Sequence, residues 1–354
     1  LYSQMNGIYF NYYNYIQLGN MLEMGITNSN WTICCWIKFN QIIDNHWFIS
    51  AGNSSNGFYF GLKVLNKDLM AKHLNKKSIL ITGCSSGIGL EVADGLKFRG
   101  YRVFATGRQK KDIEMLNNKG FESLYLDLNS SKSIKSAVDE VLFRTDGTLY
   151  ALFNNGGYGQ PGAVEDLSRE AIRAQFETNL FGTMELTNLV IPFMRKQGYG
   201  RIIQNSSFLG FVALPYRGAY ISSKYALEGL TDTLRLELGG THIHVSLIES
   251  GPILTKHKTN SLKFFKKYIS TENSPHSLAY KFLEDRLTQI EPQSIFTLHP
   301  NKVLEKVIDA LESRKPKNRY YITFPAYLFA ACKRVLPNFI LDKILLMASD
   351  KGRR

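Results

Sequence analysis

From Lys76 onward, short apolar runs alternate with longer stretches whose apolar residues recur every three or four positions. Ser78 to Thr82, Arg102 to Ala105, Ser123 to Leu126, Leu149 to Phe153, Arg201 to Asn205, His242 to Ile248 and Tyr320 to Thr323 predict strands. Leu90 to Phe98, Ser131 to Phe143 and Ser168 to Arg195 predict helices between them. Several of the strands are near-continuously apolar, as a strand covered on both faces must be. Strand–helix alternation of this kind predicts an α/β fold with a doubly wound parallel sheet of Rossmann type. Residues 70–325 make one such domain, and the pattern changes again in a tail over 326–354.

Residues 1–69 read differently. They hold all three Trp, many Asn and none of the ten Pro. Alternation in Trp31 to Phe39 and in Gly57 to Leu62 predicts short strands between Asn/Gly/Ser turns, so a short β-rich segment precedes the α/β domain. Tyr15-Ile16-Gln17-Leu18, Trp31-Thr32-Ile33, Trp36-Ile37-Lys38 and Phe48-Ile49-Ser50-Ala51-Gly52 resemble part of a laminin-G or concanavalin-like jelly roll. A carbohydrate-binding role through this segment is one expectation. The other, which we favour, is an extension of the gene, because Met70-Ala71-Lys72-His73 stands where an α/β enzyme would begin.

Charge narrows the partners. The net charge of +13 is concentrated from Arg314 onward, where ten Lys/Arg face only Asp342 and Asp350. That tail also carries Phe324, Tyr327, Phe329, Phe339 and Ile340, a composition expected of a segment lying on an anionic membrane surface. Charge confined to a tail, without a base-reading motif, argues against nucleic acid as a partner. The four Cys show neither metal-ligand spacing nor a disulfide framework, so no metal site is expected and a cytoplasmic setting fits.

The candidate chemistry begins at Thr82-Gly83-Cys84-Ser85-Ser86-Gly87-Ile88-Gly89, directly after the first strand. Glycines there close a tight turn, let backbone approach a pyrophosphate and let the helix pack on the strand. The N-terminus of the helix beginning near Gly87 turns N–H groups and a positive dipole end toward the phosphates. After the second strand, Gly107 stands where an acid would hold the ribose hydroxyl of NAD, and Arg108 follows. A guanidinium grips a phosphate with two prongs, so NADP(H) is expected over NAD(H). Ser207, Tyr220 and Lys224 come later in the chain, Tyr220 and Lys224 one helical turn apart. An ammonium beside a phenol favours its phenolate, making a proton donor and acceptor usable near neutral pH. Tyr59 and Lys63 share the same spacing without a glycine loop, so order and context carry the signal rather than the pair alone.

Together, Thr82-Gly83-x-x-x-Gly87-x-Gly89, Asp127, Asn154-Asn155-Gly156-Gly157, Asn179, Ser207, Tyr220 and Lys224 resemble the short-chain dehydrogenase/reductase family over about residues 76–325. Within it, Ala105-Thr106-Gly107-Arg108 and Lys315 to Tyr320 are most similar to hydroxysteroid and retinol dehydrogenases. The resemblance implies an oxidoreductase that moves a hydride between NADP(H) and an apolar aldehyde, ketone or alcohol. It implies Asn179, Ser207, Tyr220 and Lys224 as the catalytic set. It also implies cofactor contacts from Gly83, Ser85, Ser86, Gly87, Ile88, Gly89, Arg108, Asp127, Asn154, Gly156, Ile253 and Thr255, with Tyr220 and Lys224 on the nicotinamide ribose. A homo-oligomer is expected by the same analogy. Gly156 replaces the family's Ala, and Ser250 replaces a Pro after the sixth strand, which puts local rigidity there in question. Phe264, Phe265, Tyr268, Tyr280, Phe282 and Phe296 lie where the family builds its substrate lid. A cofactor-binding sensor without turnover is the competing class, and the intact Ser–Tyr–Lys set argues against it.

Overall fold

The computed structural model describes residues 77–289 and 295–349 in full, and the backbone of five strands before them. The chain divides into two compact units, Leu1–Lys76 and Lys77–Arg354. In the first, Ser3–Met5, Ile8–Asn11 and Tyr15–Leu18 pair as an antiparallel meander, and Asn45–Ser54 pairs with Gly57–Asn66 as a hairpin. The strand expected at Gly57 to Leu62 falls inside that hairpin, and the one at Trp31 to Phe39 lies outside the described residues.

The second unit contains the seven strands read from the sequence, with ends moved by one or two residues: β1 (Ser78–Ile81), β2 (Arg102–Gly107), β3 (Glu122–Tyr125), β4 (Ala151–Asn154), β5 (Gly200–Asn205), β6 (Ile243–Ser250) and β7 (Arg319–Ile322). They form one parallel sheet in the order β3-β2-β1-β4-β5-β6-β7. The helices are α1 (Gly87–Phe98), α2 (Lys110–Asn118), α3 (Ser131–Arg144), α4 (Arg169–Phe176), α5 (Gly182–Gln197), α6 (Gly218–Glu237), α7 (His257–Tyr268), α8 (Ser277–Thr288), α9 (Asn301–Glu312), α10 (Phe324–Val335) and α11 (Asn338–Ala348).

Side chains alternate across a strand, so each strand feeds both layers. From β1, Ile79 and Ile81 enter the layer formed by α1 and α9, with Val92, Leu96, Val303 and Val307. Leu80 points the other way, among Ile134 and Val138 of α3, Leu186 and Val190 of α5 and Leu234 of α6. Each such fully buried aliphatic side chain contributes about 1.5–3 kcal/mol relative to exposure. Strand order reverses between β1 and β4, which opens a crevice beyond the C-terminal ends of those strands.

The helix expected over Ser168 to Arg195 is broken. Between α4 and α5, Glu177–Phe181 winds as a π turn, a local widening that often marks a functional position. The boundary expected at residue 326 falls inside α10, whose Ala326 and Phe329 pack with Phe208, Leu209 and Ile221.

Candidate active site

The loop after β1 is knotted to the turn after β4. The Thr82 hydroxyl accepts from the Asn155 and Gly156 N–H groups, at 2.9 and 2.8 Å. The Asn155 amide donates to the carbonyls of Thr82 and Gly83, at 2.9 and 3.2 Å, and its oxygen accepts from Asn205 at 2.9 Å. Asn155, part of the sequence motif but given no role there, therefore shapes the loop. Asn154, the last residue of β4, instead turns its amide into the core and donates to Thr187 at 2.8 Å. Strand alternation between Asn154 and Asn155 was the available signal.

The loop has the shape of a phosphate cradle. Gly83 has φ +72°, and a Cβ on Gly89 would stand 2.2 Å from the Gly83 carbonyl oxygen. Ser86 begins α1 without capping it through its side chain, so the N–H groups of the first turn remain available to an anion. Thr255 abuts Gly87: its methyl lies 3.1 Å from where a Gly87 Cβ would stand. Ser85 is exposed, while Ser86 and Ile88 are half-buried at the crevice. Ile253 is bridged to Leu298, and Gly251 donates to Ile322 at 3.0 Å, so backbone pairing holds the segment where Ser250 stands for Pro. Arg108 is exposed just past β2, and half-buried Asp127 accepts from Asn129 N–H at 3.1 Å. These features fit a dinucleotide. Cys84, in the same loop, is buried, its thiol pushed up to about 12 by burial, so it is no nucleophile.

At the end of β5 the two serines diverge. Ser207 accepts from Leu209 N–H and donates to the Ser250 carbonyl, both at 3.2 Å, and hydrogen-bonds the Tyr220 phenol. Ser206 faces away: both its hydroxyl and a Glu228 carboxylate oxygen stand within 2.9 Å of where a Gly210 Cβ would be. Between the serines and α6, Tyr216 takes φ +61° and its carbonyl accepts from Gly162 at 3.0 Å, a strained turn fixed from outside.

Burial pushes the Tyr220 phenol up to about 12, opposed by the Ser207 hydrogen bond and the Arg217 guanidinium. The Lys224 ammonium, 5.8 Å from the Tyr220 ring centre, donates to the Asn205 carbonyl at 2.7 Å. Lys224, one turn along α6, is the cation expected beside the phenol, and the Arg217 guanidinium, one turn before Tyr220, adds a second. Lys224 is itself pushed down to about 8 by burial, with Glu228 acting against that shift. Asn179 in the π turn accepts from Tyr158 N–H at 3.1 Å and donates to the Tyr158 carbonyl at 2.9 Å and to Ser223 at 3.2 Å. It is thereby tied to α6 one turn beyond Tyr220. His257 sets its ring edge-on to Tyr220, 5.7 Å between centres. His257 is exposed as a residue, yet desolvation, then Lys224 and Arg217, hold its ring below the ordinary imidazole range.

Beneath this site lies a buried carboxylate cluster the sequence did not reveal. Arg319 of β7 bonds Glu228, Asp232 and Glu249. Glu249 is fully buried and pushed up to about 8, by burial first and by Glu228 next. Glu228 is four residues beyond Lys224 on α6, a local spacing that offered the one available clue.

Of the expected lid aromatics, Phe265 and Tyr280 are core, packed edge to face at 5.3 Å. Phe264 stacks on Tyr158 at 3.7 Å and Phe296 on Phe324 at 5.5 Å, while Phe282 is exposed. Among the described residues no group of His, Cys, Asp and Glu is arranged to hold a metal.

Residues 77–264 match the family model described as short chain dehydrogenase. The uncharacterized oxidoreductase YbbO of Escherichia coli (strain K12) is 41% identical over 278 residues, covering 78% of this chain and 97% of that protein. A 3-ketodihydrosphingosine reductase of Bacteroides thetaiotaomicron is 32% identical over 268 residues, covering 75% and 96%. Among solved structures, a short chain dehydrogenase from Burkholderia cenocepacia J2315 in complex with NADP superposes with a TM-score of 0.59 at 23% identity, covering 77% and 99%.

Proposed function

Because the chain belongs to the short-chain dehydrogenase family of oxidoreductases, we propose that it reduces an apolar aldehyde or ketone with NADPH, or runs the reverse oxidation, with Tyr220 handling the proton. One observation carries the reading: Ser207 hydrogen-bonds Tyr220 at the mouth of the crevice that the glycine loop lines. The nicotinamide, when bound, supplies or accepts the hydride at the substrate carbon. Gly83, Gly87, Gly89 and Thr255 would hold the pyrophosphate, and Ile253 the amide. Asp127 and Asn154 would serve the adenosine end, Asn154 through its backbone because its side chain is engaged by Thr187.

This chain's residues then divide the proton work. Ser207 donates to the carbonyl oxygen and orients it. Tyr220 gives that oxygen its proton, and the phenolate left behind is stabilised by Ser207 and Arg217. A phenol held near pKa 12 keeps its proton at neutral pH, which suits an acid in the reductive direction. Lys224 anchors to Asn205 and positions the ribose, and Asn179 holds the turn through which the proton is replaced. Arg108, followed by Gln109 and exposed, supports NADP(H) over NAD(H).

The apolar substrate class is supported by Phe208, next in the chain to Ser207, by Phe264 stacked on the Tyr158 that Asn179 holds, and by a relative named for reducing a ketone on a sphingoid chain. Steady-state NADPH oxidation against short and long aldehydes, steroid ketones and retinoids tests it. Turnover that rises with apolar chain length is expected. Preference for small polar carbonyls overturns the substrate class.

A further inference from the structure

The last two helices each bury one apolar stripe and expose another. Toward the protein, α10 sets Ala326 and Phe329 against Phe208, whose ring stacks on Phe329 at 5.9 Å beside Ser207. In α11, Leu341 and Leu345 join the same cluster. On the outer side α10 presents Phe324, Tyr327, Leu328, Ala331 and Val335, the spacing of a single helical face. There α11 presents Phe339, Ile340, Leu346 and Met347. Exposure reaches 79% for Val335, 71% for Met347 and 64% for Phe339. Scattered surface hydrophobes are ordinary, but two consecutive helices armed this way mark an interaction surface.

Charge identifies the occupant. Lys333, Arg334 and Lys343 are exposed along these helices, and Asp342 is the single acid between Ser313 and Ser349. A second copy docking the same face on itself would set these cations against one another. An anionic surface is attracted to them. Neither helix exceeds 12 residues, about 18 Å, so they cannot cross a hydrocarbon core and would lie along its boundary.

We propose that α10 and α11 seat the enzyme on an anionic lipid surface, with the outer apolar stripes at the headgroup boundary and Lys333, Arg334 and Lys343 against lipid phosphates. The inner face of α10 covers the segment carrying Ser207, so the surface that touches lipid is also the roof of the site. A carbonyl dissolved in the bilayer would then reach Tyr220 from the lipid side. That consequence rests on the proposed reaction; the lipid contact does not, and its test reads binding without turnover.

The test is flotation of the full chain with phosphatidylcholine vesicles, with and without phosphatidylserine. Recovery with the anionic vesicles alone, released by salt, is expected. Each basic residue near such a surface is worth about fivefold, so K333Q/R334Q/K343Q weakens binding about a hundredfold. F339N/M347N weakens it as well, while leaving the thermal midpoint unchanged. Equal recovery on neutral and anionic vesicles, or none on either, overturns the proposal. So does conversion of an oligomer to a monomer by F339N/M347N in lipid-free light scattering, which would assign the face to a second copy.

Discussion

Replacing Glu228 by Gln separates catalysis from architecture at one buried position. Lys224 is 7% exposed and held near pKa 8, with burial lowering it and Glu228 opposing. Cβ atoms four apart on a helix stand about 6 Å from one another, and opposite charges at that separation attract by about 3 kcal/mol at an effective dielectric of about 20. Losing it lowers the Lys224 pKa further below about 8. The protonated fraction at pH 7 then falls, and kcat with it, by up to about tenfold for a lost attraction of this size. The other charges near Lys224 do not compensate. His257, held below the ordinary imidazole range, is neutral at pH 7, and Arg319 is engaged by Asp232 and Glu249. The assay is kcat for NADPH oxidation against pH, for wild type, E228Q and D232N. Asp232 also grips Arg319, at 2.5 Å, from a half-buried position two turns beyond Lys224, so D232N loosens the clamp without removing Glu228's charge. The alkaline limb should move down in E228Q alone. Unchanged limbs in both variants, with equal losses of thermal midpoint, would make Glu228 purely structural.

Three further outcomes follow from the same geometry. Glu249 binds its proton more tightly folded than unfolded, so its contribution to stability is full below about pH 4.5 and is lost as pH rises through about 8. Thermal unfolding across that window should show a falling midpoint in wild type and a flatter profile in E249Q; parallel profiles refute it. G89A drives a Cβ to 2.2 Å from the Gly83 oxygen and 2.6 Å from the Asn155 amide, so fluorescence titration should show NADPH affinity lowered at least about tenfold at a stability cost of about 1–3 kcal/mol. R108A should weaken NADPH by about tenfold to a hundredfold, the worth of a charge-assisted contact, and leave NADH unchanged; an equal loss for both cofactors removes Arg108 from the 2′-phosphate.

Much of the domain was legible because its signals are local. A strand, a glycine turn and a helix follow one another within 78–98, and Tyr220 and Lys224 share a helix turn. The π turn was not legible, since Glu177–Phe181 keeps an apolar period indistinguishable from the helix on either side. The Arg319 clamp joins residues 70 to 91 positions apart, beyond the reach of periodicity. Burial was the effect the sequence could not show: Lys224 stands 5.8 Å from the Tyr220 ring centre, yet burial raises the phenol, with Ser207 and Arg217 opposing. The basic, apolar end of the chain read as a tail, because composition does not distinguish a helix face that packs on Phe208 from one that faces solvent.

The central claim is that Tyr220 transfers the proton while the neighbouring loop holds the nicotinamide. Single-turnover mixing of enzyme-bound NADPH with an aldehyde, for wild type and Tyr220→Phe, addresses it directly. The account predicts unchanged NADPH affinity in the variant and loss of nicotinamide absorbance slowed by at least about a hundredfold. Hydride transfer at the wild-type rate in Tyr220→Phe would contradict it.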